Sequence, residues 1–157
     1  MKFNAPLQAL TIGALSLVAA AITWAVVDPP EPEKTSCDPA TIPDGEICLQ
    51  SIDDEQGVLW VDARSRKEWE RNGLNDSLLW NLDADEDMNA FEREFFMTAA
   101  PRASDGTLQV VVYCSDKQCG TSKQVAARIR KLDLPMEVRV LHGGWRALKQ
   151  AGRIPGP

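Results

Sequence analysis

The segment richest in reactive side chains is Tyr113-Cys114-Ser115-Asp116-Lys117-Gln118-Cys119-Gly120-Thr121-Ser122. An apolar run, Gln109–Tyr113, feeds straight into it and a helical pattern follows. Cys114 is therefore expected at the carboxyl end of a parallel strand, beneath a helix N-terminus, where open α/β sheets place their ligands. Unpaired N–H groups and the positive end of the helix dipole favour an anion at such a point. A thiolate is one such anion, and the same field lowers a thiol pKa. Strand, cysteine, short loop, helix is the arrangement a nucleophilic thiol needs. Taken alone, the same pattern also suits a buried structural cysteine.

Three other groups of side chains invite chemistry. Cys37 and Cys48 flank Pro39, Pro43 and Gly45, and outside the cytoplasm they are expected to form a disulfide, worth about 3 kcal/mol for so short a loop. A zinc site built from Cys37, Cys48, Cys114 and Cys119 is the rival, but Cys-x10-Cys with Cys-x4-Cys fits zinc spacing poorly, so no metal is expected. His142 is the only histidine, which excludes sites needing two. It is a conceivable base for Cys114 if their strand ends are neighbours. The acids between Asp83 and Asp87 read as a solvated helix start rather than a metal site.

The elements that must position these residues are legible as five short apolar runs alternating with helical patterns, the signature of parallel β-α units. The runs are 46–49, 58–62, 78–81, 109–113 and 138–141. VLWVD and QVVVY are apolar without alternation, as expected of strands covered on both faces. Ser65-Arg66-Lys67-Glu68 predicts a capping box at a helix start. Trp69 is expected to face the sheet, and Gly73 to stop that helix. Asp83–Asp87 predict the first turn of a second helix, with Met88, Phe91 and Phe95 as its apolar stripe and Pro101 beyond its end. A third helix is expected over 121–131, burying Val125, Ile129 and Leu132. The last follows Gly143-Gly144 and closes at Gly152. Trp60, Trp80 and Trp145 read as core residues.

Composition bounds the function. The 157 residues carry 17 Lys+Arg against 23 Asp+Glu, a net charge of −6. That excess of acid argues against nucleic-acid binding and against docking on anionic lipid headgroups. A hydrophobic share of 44% and a charged share of 25% exclude disorder throughout. Leu7–Val27 holds 21 residues without a charge, long enough to cross a bilayer as a helix. Ala19-Ala20-Ala21 offers a signal-cleavage alternative, but the apolar run continues past it, so an uncleaved anchor is preferred. Lys2 precedes the run and Asp28, Glu31 and Glu33 follow it, which predicts a domain on the extracytoplasmic, periplasmic side, or secreted if the segment is cleaved. The expected organisation is an anchor or signal segment over 1–27, a Pro/Glu-rich linker over 28–44, one domain over 45–152 and a tail over 153–157.

Three stretches carry a resemblance. VLWVDARSRKEWERNGLNDSLLWNL, residues 58–82, resembles the first half of a rhodanese-like domain in its Asp-x-Arg, its Glu-aromatic pair and its Gly-hydrophobic turn. Residues 111–122 look like the rhodanese active-site strand and loop, and VLHGGWRALKQAG, residues 140–152, is similar to the closing Leu-x-Gly-Gly-aromatic helix. The three follow one another in the family's order. The resemblance implies a three-layer α/β/α domain with a mostly parallel five-stranded sheet and no cofactor, which the apolar run 7–27 is expected to precede as one N-terminal transmembrane helix. It implies a sulfurtransferase in which Cys114 takes sulfane sulfur from a donor such as thiosulfate or a persulfide. The Cys114 persulfide would then pass it to cyanide, a thiol or an unidentified protein acceptor. Amides of Ser115, Asp116, Lys117, Gln118, Cys119 and Gly120 would cradle the anionic persulfide. Asp62 and Arg64 fall on the family's Asp-x-Arg, where they support fold and loop.

The loop departs from common sulfurtransferases. Its one base, Lys117, sits beside Asp116, and Cys119 stands where Arg or Thr is usual. Gly120 occupies the position of a phosphatase Arg, so that activity is excluded. Cys119 either packs at the helix start or resolves a Cys114 persulfide or sulfenate as a disulfide, releasing sulfide or water. A thiol-redox enzyme using Cys114 and Cys119, and a non-catalytic binding module, are the alternative functions.

Overall fold

The structure is a computed structural model that describes residues 37–53, 57–115 and 120–154. Five strands, β1 (Glu46–Ile47), β2 (Leu59–Asp62), β3 (Leu78–Leu79), β4 (Gln109–Tyr113) and β5 (Glu137–Leu141), form one sheet. Their order is β1-β5-β4-β2-β3, and every pairing is parallel. Four α-helices connect them: α1 (Arg66–Asn72), α2 (Met88–Ala99), α3 (Gly120–Arg130) and α4 (Gly144–Gln150).

The unbroken apolar runs have a direct cause. In β2, Leu59 and Val61 join one core layer while Trp60 joins another. In β4, Val110 and Val112 face the first layer, Val111 and Tyr113 the second. Successive side chains of a strand point to opposite faces, so a sheet with two covered faces needs apolar residues at every position. The first layer is closed by Phe91, Phe95 and Ala99 of α2 and by Val125, Ala126 and Ile129 of α3. Leu148 of α4 and Ile154 close the second. Each fully buried Val, Leu, Ile or Phe among them contributes about 1.5–3 kcal/mol.

Local signals set the helix ends. Ser65 and Glu68 form a reciprocal capping box at the start of α1. Gly73 ends that helix in an extended conformation, φ −66° and ψ 162°, rather than in the left-handed turn expected of a glycine stop. Glycine is needed there because a Cβ would stand 2.7 Å from the Trp69 carbonyl oxygen and 2.8 Å from its ring. The acidic run 83–87 also differs from expectation. It precedes α2 instead of forming its first turn. Only Asp87 caps the helix, accepting from the amides of Asn89 and Ala90, while Glu86 pairs with Arg66 at 2.7 Å.

Cys37 and Cys48 are joined by a disulfide with a Cα–Cα distance of 5.6 Å. It closes the loop 37–48, which contains the edge strand β1. Among the described residues no helix is long and apolar enough to cross a membrane. The apolar stretch 7–27 and most of the Pro/Glu segment lie outside the described residues.

Candidate active site

The carboxyl ends of the central strands hold the candidate site. β4 ends at Tyr113, and Cys114 follows with its side chain in the core layer between the sheet and α3. Cys114 is a thiol, 2% exposed. Its Sγ lies 3.2 Å from Oγ of Ser122, a fully buried residue in the first turn of α3. No local signal marks Ser122 in the sequence, because its position depends on where α3 begins. Ser115 is exposed and Gly120 opens α3. Asp116, Lys117, Gln118 and Cys119 lie outside the described residues.

The backbone of Cys114 is gripped from the other side by the turn into α4. The Trp145 amide donates to the Cys114 carbonyl at 2.9 Å. Gly143 and Gly144 take φ values of +74° and +53°, a region that favours glycine. A Cβ on Gly144 would overlap the Cys114 carbonyl oxygen. The Gly-Gly pair is thus a packing requirement: it lets the turn close against the residue bearing the thiol.

Asp62 and Arg64 form a pillar beside this turn. Arg64 places Nη2 2.7 Å from Asp62 Oδ2, and their side chains are 2% and 0% exposed. Arg64 Nε also donates to both Asp62 oxygens, and Nη1 and Nη2 donate to Asn72 Oδ1 and its carbonyl. The guanidinium lies 5.7 Å from the Tyr113 ring centre and 5.2 Å from that of Trp145. Burial opposes the charge on Arg64, yet the bonds to Asp62 outweigh it and hold its pKa above the ordinary value. Burial, with Asp62 nearby, pushes the Tyr113 phenol well up. Its hydroxyl accepts from the Leu74 amide and meets Ser77 Oγ. Trp145 Nε1 donates to the Asn72 carbonyl, so this half-buried ring ties α4 to the end of α1. The pillar has its polar atoms committed to protein partners, as an architectural element should.

A second charged cluster, which the sequence did not suggest as a unit, sits at the ends of β1 and β5. Glu46 on β1 accepts from Lys123 Nζ at 2.8 Å through Oε1 and meets His142 Nδ1 at 2.7 Å through Oε2. The Glu46 side chain is 5% exposed. Burial works against its charge, but the bonds from Lys123 and His142 prevail and hold the carboxyl below its ordinary value. Glu46 is therefore ionised at neutral pH, and Nδ1 of His142 is the donor.

Among the described residues no group of three or more His, Cys, Asp or Glu side chains has metal-binding geometry.

Comparison with known proteins places this architecture. The chain matches the rhodanese-like domain family over residues 46–151. Two solved structures are also matched. BH2092 protein from Bacillus halodurans shares 17% identity at a TM-score of 0.49, covering 71% of this chain and 76% of the other. The N-terminal domain of a protein described as ATP/GTP binding, from Clostridium difficile 630, shares 19% identity at a TM-score of 0.45, covering 68% and 98%. The comparison with curated proteins yields no match. Because the family match spans the whole sheet from Glu46 through the close of α4, the chain belongs to the rhodanese-like domain family.

Proposed function

We propose that the protein is a sulfurtransferase working through Cys114. The observation that carries this reading is the seat of the thiol: the end of a central parallel strand, Sγ 3.2 Å from Ser122 Oγ in the first turn of α3. A hydroxyl beside the sulfur and the positive end of a helix dipole both favour the thiolate. In the proposed cycle the Cys114 thiolate attacks the outer sulfur of a donor such as thiosulfate. The donor's S–S bond breaks, sulfite leaves with its electron pair, and Cys114 carries a persulfide. A nucleophilic acceptor then attacks the outer sulfur, and Cys114 leaves as the thiolate.

The same reading places the domain outside the cytoplasm, with residues 1–27 as its anchor. The Cys37–Cys48 disulfide supports that compartment, since such bonds persist where the surroundings are oxidising.

A second reading has one observation in its favour. Cys114 is only 2% exposed, as a structural cysteine in a non-catalytic binding module would be. The deciding experiment exposes the full chain to thiosulfate, polysulfide or persulfidated glutathione and weighs the intact protein. A gain of one sulfur, lost on adding cyanide and absent in Cys114→Ser, is the expected result. No gain with any donor overturns the enzymatic reading in favour of the binding module.

A further inference from the structure

The sulfur-transfer cycle needs a proton acceptor when the sulfur goes to a thiol. A free thiol titrates near about 8.5, so at neutral pH most of an incoming thiol is protonated and poorly nucleophilic. His142 is the chain's single histidine, and its placement answers that need.

The placement follows from strand register. Val112 of β4 pairs with Val140 of β5, and Val140 with Glu46 of β1. All three belong to one face of the sheet, the face that α3 covers: Val112 and Val140 pack with Val125 of α3, and Glu46 is paired to Lys123 of α3. Side chains repeat on a face every second residue. Continuing the register by two residues sets Cys114 and His142 on that same face, about one strand spacing apart, ~5 Å. The contact between Cys114 and the following turn, through the Trp145 amide and Gly144, keeps the two strand ends together.

The chemistry of the ring follows from its partner. An ionised carboxylate has no proton to give, so Nδ1–H donates to Glu46 and the neutral ring keeps its lone pair on Nε2. Nε2 has no protein partner among the described residues, and the side chain is 36% exposed. The charged groups about the ring are Glu46 from β1, on its Nδ1, and Lys123 from α3 through that carboxylate, while the continued register puts Cys114 at the neighbouring strand end.

We propose that His142 is the general base for the acceptor half of the cycle, removing the proton of an incoming thiol, and that Glu46 and Lys123 are its positioning residues. This inference rests on the sulfur-transfer reading of Cys114. In the step, Nε2 takes the thiol proton and the resulting thiolate attacks the outer sulfur of the Cys114 persulfide. The new S–S bond forms as the old one breaks, and Cys114 departs as the thiolate. The imidazolium then returns its proton to solvent, and the product is the acceptor's persulfide.

The test compares two acceptors on the full chain, first loaded with one sulfur on Cys114. Reduced glutathione must lose a proton to attack, whereas sulfite attacks through a sulfur that carries none. His142→Gln is expected to slow transfer to glutathione about 100-fold, within the range of a lost general base, and to leave the sulfite rate within about twofold. Glu46→Gln keeps a hydrogen-bond acceptor for Nδ1 but loses the charge, and should slow the glutathione step about tenfold with the same indifference to sulfite. Equal losses with both acceptors mean that the cluster only shapes the strand ends, and overturn the inference. So does an unchanged glutathione rate in His142→Gln. A wild-type chain that never gains sulfur overturns the sulfurtransferase reading, and this inference with it. One that gains and transfers sulfur without acceptor-specific loss overturns this inference alone.

Discussion

Two ion-pair clusters stand at the same end of one parallel sheet, and they are built for different work. Around Arg64 and Asp62 the side chains are 2% and 0% exposed, and the guanidinium is spent on Asp62, Asn72 and two aromatic rings. Around Glu46 only the carboxylate is buried, at 5%, while Lys123 and His142 are 47% and 36% exposed. A guanidinium with each of its nitrogens bonded in a dry site holds a loop but cannot exchange protons with a visitor. A buried carboxylate with half-exposed partners fixes a ring while leaving one nitrogen in reach of solvent. Saturation and exposure, more than charge itself, set the two clusters apart.

The largest effect that would test this contrast comes from opening the saturated cluster. Arg64→Met leaves Asp62 buried without its counter-ion and is expected to cost about 3–5 kcal/mol in urea denaturation, a large part of a domain's stability. Asp62→Leu combined with Arg64→Met removes both charges and should recover part of that loss. Arg64→Lys should not rescue, because an ammonium cannot replace the forked contacts to Asp62 and Asn72. His142→Gln at the other cluster is expected to cost about 1 kcal/mol or less, the net worth of one hydrogen bond from a half-exposed ring. Comparable losses at the two clusters would erase the distinction.

Next in size is Gly144→Ala, which strikes the joint between the turn and Cys114. A side chain at φ +53° is strained, by about 1–2 kcal/mol, and its Cβ would overlap the Cys114 carbonyl. The loss should exceed the backbone cost alone, and the rate at which Cys114 is alkylated should change with it. Stability close to wild type would show that the turn can shift without disturbing the thiol.

The sheet and the place of Cys114 were readable because their causes are local. Strands covered on both faces need unbroken apolar runs, and QVVVY ends where a short loop and a helical pattern begin. Ser65 and Glu68 are three residues apart, so their mutual capping is written in a tetrapeptide. Where partners come from elsewhere the sequence was mute. The acids 83–87 suggested a helix turn because the pairing of Glu86 with Arg66, twenty residues away, could not be seen. Gly73 looked like a left-handed stop, whereas the Trp69 ring and carbonyl require it. His142 was visible as a lone histidine, but its meeting with Glu46 spans 96 residues and depends on β1 lying beside β5. No periodicity encodes that adjacency.

A smaller effect belongs to Ser122. Ser122→Ala removes the hydroxyl 3.2 Å from Cys114 Sγ and should cost about 1 kcal/mol of stability. Alkylation of Cys114 near neutral pH is expected to slow several-fold while the fold persists, which would mark the hydroxyl as a support for the thiolate. Unchanged alkylation would make it a packing contact.

The smallest effect is the pH dependence of the Glu46 cluster. Burial disfavours the carboxylate, yet the bonds from Lys123 and His142 leave its folded-state pKa below the ordinary 4.5. A group whose pKa is depressed on folding contributes stability that is fully present above its unfolded value and disappears as pH falls through the folded one. The contribution is therefore complete at neutral pH and declines below about 4.5. Denaturation midpoints of wild type and Glu46→Gln should differ most above pH 5 and converge in stronger acid. If instead the Glu46→Gln difference grows as pH falls, the carboxylate is a burden that Lys123 and His142 only partly offset, and the half-exposed cluster is no better held than a surface pair.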